Sequence, residues 1–145
     1  MGSRRKSREM AIQILYQMDV NGMTASEAIP FYRHLLEANK KLLPFAEELV
    51  KGVEDRRIEI DRLIQKHSKN WRIDRMAWVD RNILRLAVYE LVFLRATPPK
   101  VALNEAIDLG KKFGTSDSSS FINGILDSIH QQLKSEELNE ASSEA

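Results

Sequence analysis

Ile83-Leu84-Arg85-Leu86-Ala87-Val88-Tyr89-Glu90-Leu91-Val92-Phe93-Leu94 is the stretch that decides the fold. Wound at 3.6 residues per turn, it is apolar nearly all round, relieved by Arg85 and Glu90. A helix without a wet face must be covered on all sides, so it is predicted to be the central one. It begins near Asp74 and is stopped by Thr97-Pro98-Pro99, because proline cannot continue a helix and pushes the preceding residue out of the helical region.

Working outward, the flanks carry one-sided helical patterns. Upstream, Leu42, Phe45, Ala46, Leu49, Val50, Val53, Ile60, Leu63 and Ile64 keep three-and-four spacing over some six turns, which predicts one long helix with Gly52 as its weak point. Asn70-Trp71-Arg72 separates it from the spine. Downstream, Pro99 or Lys100 opens a helix through Ala102, Leu103, Ala106, Ile107 and Leu109, bracketed at its end by Gly110 and Gly114. Thr115-Ser116-Asp117-Ser118 then supplies cap candidates for a last helix carrying Phe121, Ile122, Ile125, Leu126, Ile129 and Leu133. Asn123-Gly124 lies inside that periodicity and reads as a closely approached helix face rather than a hairpin turn.

At the other end, Ser3 can cap a first helix to about Met18, with Ile12, Leu15 and Tyr16 inward, ended by Asn21-Gly22. Thr24 and Glu27 form a capping-box pattern for a second helix bearing Ala28, Phe31, Leu35 and Leu36. Pro30 falls far enough inside to predict a late start or a bend. No strand pattern and no repeat is present. The 145 residues are 43% hydrophobic and 30% charged, an ordinary globular balance with room for one domain or two small fused helical ones.

Net charge is +1, but it is unevenly spread. Residues 1–8 hold four basic side chains and no acid, and residues 135–145 hold four glutamates and no base. A neutral body with a basic head points to a localised polyanion contact. The polar acidic tail, 135–145, is expected to be disordered. A helix N-terminus carries about half a positive charge, so Arg4, Arg5, Lys6 and Arg8 sit where cations cost helix stability. A polyanion would offset that cost; a solvated, frayed end is the other reading. Tyr16, about two turns on, either stacks on a base or packs in the core. Gly114 to Phe121 offers free backbone N–H groups and hydroxyls for an anion, unless Asp117 caps the helix and fills the place itself.

Catalytic readings find no support. The chain has no cysteine, which removes disulfides, thiol nucleophiles and Cys-based zinc sites. Gly110-Lys111-Lys112-Phe113-Gly114 lacks the ending and the preceding strand of a P-loop. His34, His67 and His130 fall on separate helices without ligand spacing, and no serine has a nucleophile-elbow context. No apolar run reaches the length of a membrane span, and the basic start lacks a signal-peptide cleavage site, so a cytoplasmic protein without cofactor or metal is expected.

Three stretches in register resemble the NusB family: Arg4-Arg5-Lys6-Ser7-Arg8-Glu9 followed by Ala11 to Tyr16; Arg81-Asn82-Ile83-Leu84-Arg85-Leu86-Ala87-Val88-Tyr89-Glu90-Leu91; and Val101-Ala102-Leu103-Asn104-Glu105-Ala106-Ile107 through Lys112-Phe113-Gly114 to Asp117-Ser118 and Phe121 to Asp127. The resemblance covers residues 3–133. It implies an all-α bundle of about six to seven helices in two packed subdomains, about 3–68 and 72–134. It also implies a transcription antitermination factor that pairs with NusE, a small-subunit ribosomal protein. The pair binds boxA RNA in nascent transcripts, notably of ribosomal RNA operons, and acts on RNA polymerase indirectly.

Carried over, the family's RNA surface falls on Arg4, Arg5, Lys6, Arg8, Tyr16, Asp117, Ser118 and Phe121, and its NusE surface on Asp80, Arg81 and Arg85. Ser120 departs from the lysine many relatives place there, which weakens one phosphate contact. Some relatives form homodimers that bury the RNA face, so self-association is a competing state. A related domain is fused to RNA cytosine methyltransferases, but that activity needs a further domain with a nucleophilic cysteine.

Overall fold

The structure is a computed structural model that describes residues 2–37 and 43–144. The described residues form helices α1 (Gly2–Asn21), α2 (Ala25–Glu37), α3 (Leu43–Asp55), α4 (Arg57–His67), a 3-10 turn (Ile73–Arg75), α5 (Trp78–Val88) continuing as a π-helical turn (Tyr89–Leu94), α6 (Pro99–Phe113) and α7 (Ser118–Glu144). The fold is all-α, as the periodicity predicts.

The spine is where the sequence places it. Every residue from Arg81 to Val88 is buried, and α5 packs on α1, α4, α6 and α7. The helix then widens: the Arg95 N–H reaches the Glu90 carbonyl, five residues back, at 3.1 Å. Arg95 stands in the left-handed region at φ 56° and ends the element, and Pro98 and Pro99 turn the chain into α6. One buried apolar cluster runs through α1, α2, α3, α4, α5, α6 and α7 without interruption at residues 68–72.

Local rules account for most boundaries. Gly22 takes φ 64° after α1, a conformation that side-chain-bearing residues avoid. The capping box of α2 forms in both directions: Thr24 N–H donates to Glu27 Oε1 at 3.0 Å and Glu27 N–H to Thr24 Oγ1 at 3.3 Å. That backbone bond from Thr24 holds the Glu27 carboxyl below its ordinary pKa.

Five expectations change. The helix predicted from Leu42 is two helices, with the bend at Arg56 (φ −105°, ψ 13°) and not at Gly52. Gly52 instead lies against the Tyr89 ring of the spine, which a Cβ there would strike. Leu42 itself lies outside the described residues. Helix α2 begins at Ala25 with the exposed Pro30 inside it, so the start is not late. Phe31 is 73% exposed, and Ala25, Ala28 and Ile29 form the inward stripe, because the helix is rotated to bury its small residues against α3 and α1. The side chains of His34, Leu35 and Leu36 lie outside the described residues. Gly124 faces open space with nothing within 4 Å of its Cβ position, so it is not a close-packed face. Finally, residues 135–144 continue α7 as helix with exposed side chains through Ala141. Glu136, Glu137, Leu138, Glu140 and Ala141 are good helix formers, and an existing helix extends one hydrogen bond at a time without a new nucleus.

The helices are also joined by buried charge. Asp19, near the end of α1, accepts from Arg81 Nε at 2.6 Å, Arg81 Nη2 at 2.9 Å, Asn82 Nδ2 at 3.0 Å and Arg85 Nη1 at 3.1 Å. Arg85 also donates two bonds to Asp61 on α4, at 2.8 and 3.1 Å. Burial by itself would raise the Asp19 pKa, but the bonds from Arg81 and Asn82 and the two guanidinium charges hold it below the ordinary value. A carboxylate depressed in the folded state stabilises above its unfolded pKa, and that contribution is lost as pH falls. Urea midpoints are therefore expected to drop on acidification below about pH 4. Asp19→Asn should lose about 3 kcal/mol at neutral pH and show a shallower acid dependence; an unchanged pH profile would contradict this account.

Candidate nucleic-acid interface

The basic head is the first turn of α1, and the structure divides it. Arg4, Arg5 and Lys6 are exposed. The Arg4 guanidinium lies 4.5 Å from the Phe45 ring centroid, a cation-π contact that orients it without neutralising it. Arg5 is half-exposed and pairs with Glu105 at 3.2 Å and Asp108 at 3.3 Å on α6. Lys112 on α6 returns the contact to Glu9 at 2.8 Å. These exposed pairs are worth little in water, so a phosphate can replace the carboxylates of Glu105 and Asp108 at small cost.

Arg8 is different. It is 4% exposed and grips Glu90, itself 2% exposed, through three bonds of 2.8–3.1 Å. The Thr97 hydroxyl donates to the same carboxylate at 2.9 Å. A carboxylate in the middle of a packed spine needs a cation and donors, and Arg8 is the cation. This takes Arg8 out of the accessible basic set and corrects its assignment to the RNA surface.

Tyr16 lies on the Arg5 face of α1, since eleven residues return nearly to the same angle, about 16 Å further along the axis. It is half-buried and meets Trp78 edge-on, ring centroids 6.0 Å apart. The packing reading of Tyr16 thus holds in part: one side packs on Trp78 and the other reaches solvent.

In the loop before α7, Asp117 is exposed, and its carbonyl accepts from the Phe121 N–H at 3.1 Å. Ser118 is 1% exposed, and its Oγ accepts from the Thr115 N–H at 2.9 Å, so this hydroxyl tightens the turn and does not face a ligand. Phe121 is half-buried and stands perpendicular to Trp71 at 6.5 Å. Of the three residues assigned to a protein partner, Arg81 and Arg85 are spent in the network around Asp19, because charges on a buried spine must be paired internally. Asp80 is the one that reaches the surface.

The sequence reading passes over Trp71 and Trp78, 58% and 39% exposed. The signal is partial: Trp71 falls in the polar separator before the spine, where no apolar stripe requires it, whereas Trp78 falls inside the predicted spine and reads as one more apolar residue of it. With Tyr16 and Phe121 they make two aromatic pairs flanking residues 71–80. Among the described residues no group of three or more His, Asp or Glu is arranged to hold a metal ion, and no helix is long and apolar enough to cross a membrane.

The exposed cationic turn and the two surface aromatic pairs thus stand on one all-helical scaffold. The model of the NusB family matches residues 5–131, and the chain belongs to that family. It is 48% identical over 137 residues to the transcription antitermination protein NusB of Desulfatibacillum aliphaticivorans, covering 94% of this chain and 96% of that protein. It is 48% identical over 133 residues to that of Myxococcus xanthus, covering 89% and 95%. Among solved structures it is similar to a chain in a complex of the antitermination factors NusB and NusE with double-stranded RNA, with TM-score 0.80, 33% identity, and 91% and 98% coverage. It is also similar to NusB of T. maritima, with TM-score 0.75, 33% identity, and 88% and 90% coverage. The family is one of transcription antitermination proteins and not of enzymes.

The Arg8–Glu90 pair gives a test that separates structure from RNA contact. Arg8→Met should destabilise by about 3–5 kcal/mol in urea unfolding, because it strands a buried carboxylate. Arg8→Met with Glu90→Leu should recover most of that loss. A single variant as stable as the parent would return Arg8 to the surface.

Proposed function

We propose that the chain is a transcription antitermination factor that binds boxA-type RNA in nascent transcripts together with NusE. Ribosomal RNA operons are the principal setting, and the complex acts on elongating RNA polymerase in the cytoplasm. The observation that carries this reading is the exposed turn Arg4-Arg5-Lys6, held at the start of α1 in a family of antitermination proteins. Similarity to a chain solved with NusE and RNA supports the pairing.

The physical division of labour is simple. Arg4, Arg5 and Lys6 supply sequence-independent attraction to phosphates, with Arg5 exchanging Glu105 and Asp108 for the ligand. Tyr16, Trp78, Trp71 and Phe121 offer ring faces and edges to unstacked bases. Asp80 is the surface member of the set proposed for NusE contact, and Asp117 borders the RNA path. No covalent step is required of any side chain.

Fluorescence anisotropy with labelled boxA-like RNA tests the proposal, with and without cognate NusE. NusE is expected to tighten binding, and raising salt should weaken it with a log–log slope near −2 for three phosphate contacts. Arg5→Ala should lower affinity about fivefold and flatten that slope by about 0.7, with folding and NusE binding intact. Absence of RNA binding even with NusE, or an Arg5→Ala protein indistinguishable from the parent, would sink the assignment.

A further inference from the structure

Along α6, Glu105, Asp108 and Lys112 stand three and four residues apart and share one stripe, beside the buried stripe of Ala102, Ala106 and Leu109. Arg5 and Glu9, four apart on α1, meet that stripe. Arg5 donates from Nε to Glu105 Oε2 at 3.3 Å, and from Nη2 to Glu105 Oε1 at 3.2 Å and Asp108 Oδ2 at 3.3 Å. Nε and Nη2 form the flat edge with which a guanidinium grips a phosphate through two parallel bonds. Glu105 therefore occupies Arg5 as a phosphate would. Arg4, on the same turn, rests on the Phe45 ring and pairs with no carboxylate among the described residues.

The fold has little need of these bonds. Buried contacts of Arg8 with Glu90 and of Asp19 with Arg81 already fix α1 on the spine. Exposed pairs such as Arg5 with Asp108 add little stability of their own. Their effect falls on Arg5 instead. Along the seam two cations, Arg5 and Lys112, face three carboxylates, Glu9, Glu105 and Asp108. A phosphate that takes Arg5 leaves Glu105 and Asp108 without their counter-ion and beside a like charge.

We propose that Glu105 and Asp108 are an internal competitor for Arg5 that holds down the protein's affinity for RNA phosphates of any sequence. The inference rests on the RNA-binding reading above and gives α6 the opposite part from α1: its carboxylates oppose RNA, so their removal strengthens binding. Phosphate attraction carries no sequence information, and every RNA in the cell competes for it. Lowering that contribution leaves selection to base contacts and to the partner. Glu105 is the stronger of the two competitors, since it takes two of the three bonds.

The test measures binding of labelled boxA-like RNA, and of an unrelated single-stranded RNA of the same length, to the full chain with NusE. Glu105→Gln with Asp108→Asn keeps the side-chain shapes and removes both charges. It should raise affinity for both RNAs equally, by about fivefold at low salt, the upper range for an exposed pair. The gain should fade toward about 0.5 M salt, where screening reaches only a few Å. In an Arg5→Ala background the same two changes should gain less than twofold, because the competitor has lost its target. Asp55→Asn with Glu59→Gln, which removes two exposed charges near the junction of α3 and α4, should also change affinity less than twofold.

Circular dichroism and NusE binding establish that the variants are folded. Asp108→Asn alone, at an exposed position, should still gain about 1.5-fold to twofold and carries the test should the double variant fail to fold. RNA binding that does not tighten on neutralisation overturns the competitor and leaves the antitermination reading standing. A gain that persists in full without Arg5, or that Asp55 and Glu59 reproduce, overturns it in favour of net charge alone. A gain confined to boxA-like RNA overturns it in favour of base readout. Failure of parent and variants to bind any RNA overturns both readings.

Discussion

A helix wrapped in protein on every side can carry charge only where other helices bring the opposite charge to it, and that constraint organises this molecule. Glu90 is met by Arg8 from α1 and Thr97 from the turn before α6. Arg81 and Arg85 are met by Asp19 from α1, and Arg85 by Asp61 from α4. Because a buried charge left alone costs several kcal/mol, each pairing fixes the axial position of one helix against the spine. The two ends of α1 are pinned in this way, by Arg8 and by Asp19, eleven residues apart. Apolar contacts are more forgiving of sliding; these are not.

Pinning α1 has a consequence for the surface. With Arg8 drawn inward, Arg4, Arg5 and Lys6 are carried on the turn just above it and face solvent at a fixed place. Tyr16 is held about three turns along the same helix, against Trp78 at the start of the spine. The spine's first turn also presents Asp80 toward Phe121 on α7. The structural charges and the proposed RNA-facing groups therefore share the same elements, α1 and α5, and alternate around them. Changes meant for one set reach the other unless the side of the helix is known.

How much of this was legible in the sequence depends on the kind of signal. Apolar periodicity carried the helices, since burial of a stripe is a local pattern with a global cause. Capping chemistry carried the start of α2, because Thr24 and Glu27 satisfy each other within four residues. Periodicity said nothing of the bend at Arg56, where the stripe runs on unbroken while the backbone turns. It misplaced Phe31, because apolar spacing does not tell which of two overlapping stripes is covered. Trp71 lay between patterns and Trp78 inside the predicted spine, so neither stood out as a surface aromatic.

By itself, then, the sequence determined an all-helical chain with a central spine, a basic first turn, no cysteine chemistry and a likeness to one family of antitermination proteins. All of these follow from residue type and short-range spacing. Only the tertiary structure decided which charges are structural and which are available. Arg8 and Arg5 are three residues apart on one basic stretch, yet one is locked to a carboxylate 82 positions away and the other rests in exposed pairs with α6. Arg85 and Ser118 look equally accessible in the sequence and are equally spent inside. The reason is that pairing and burial are settled by contacts between residues far apart in the chain, which no local spacing encodes.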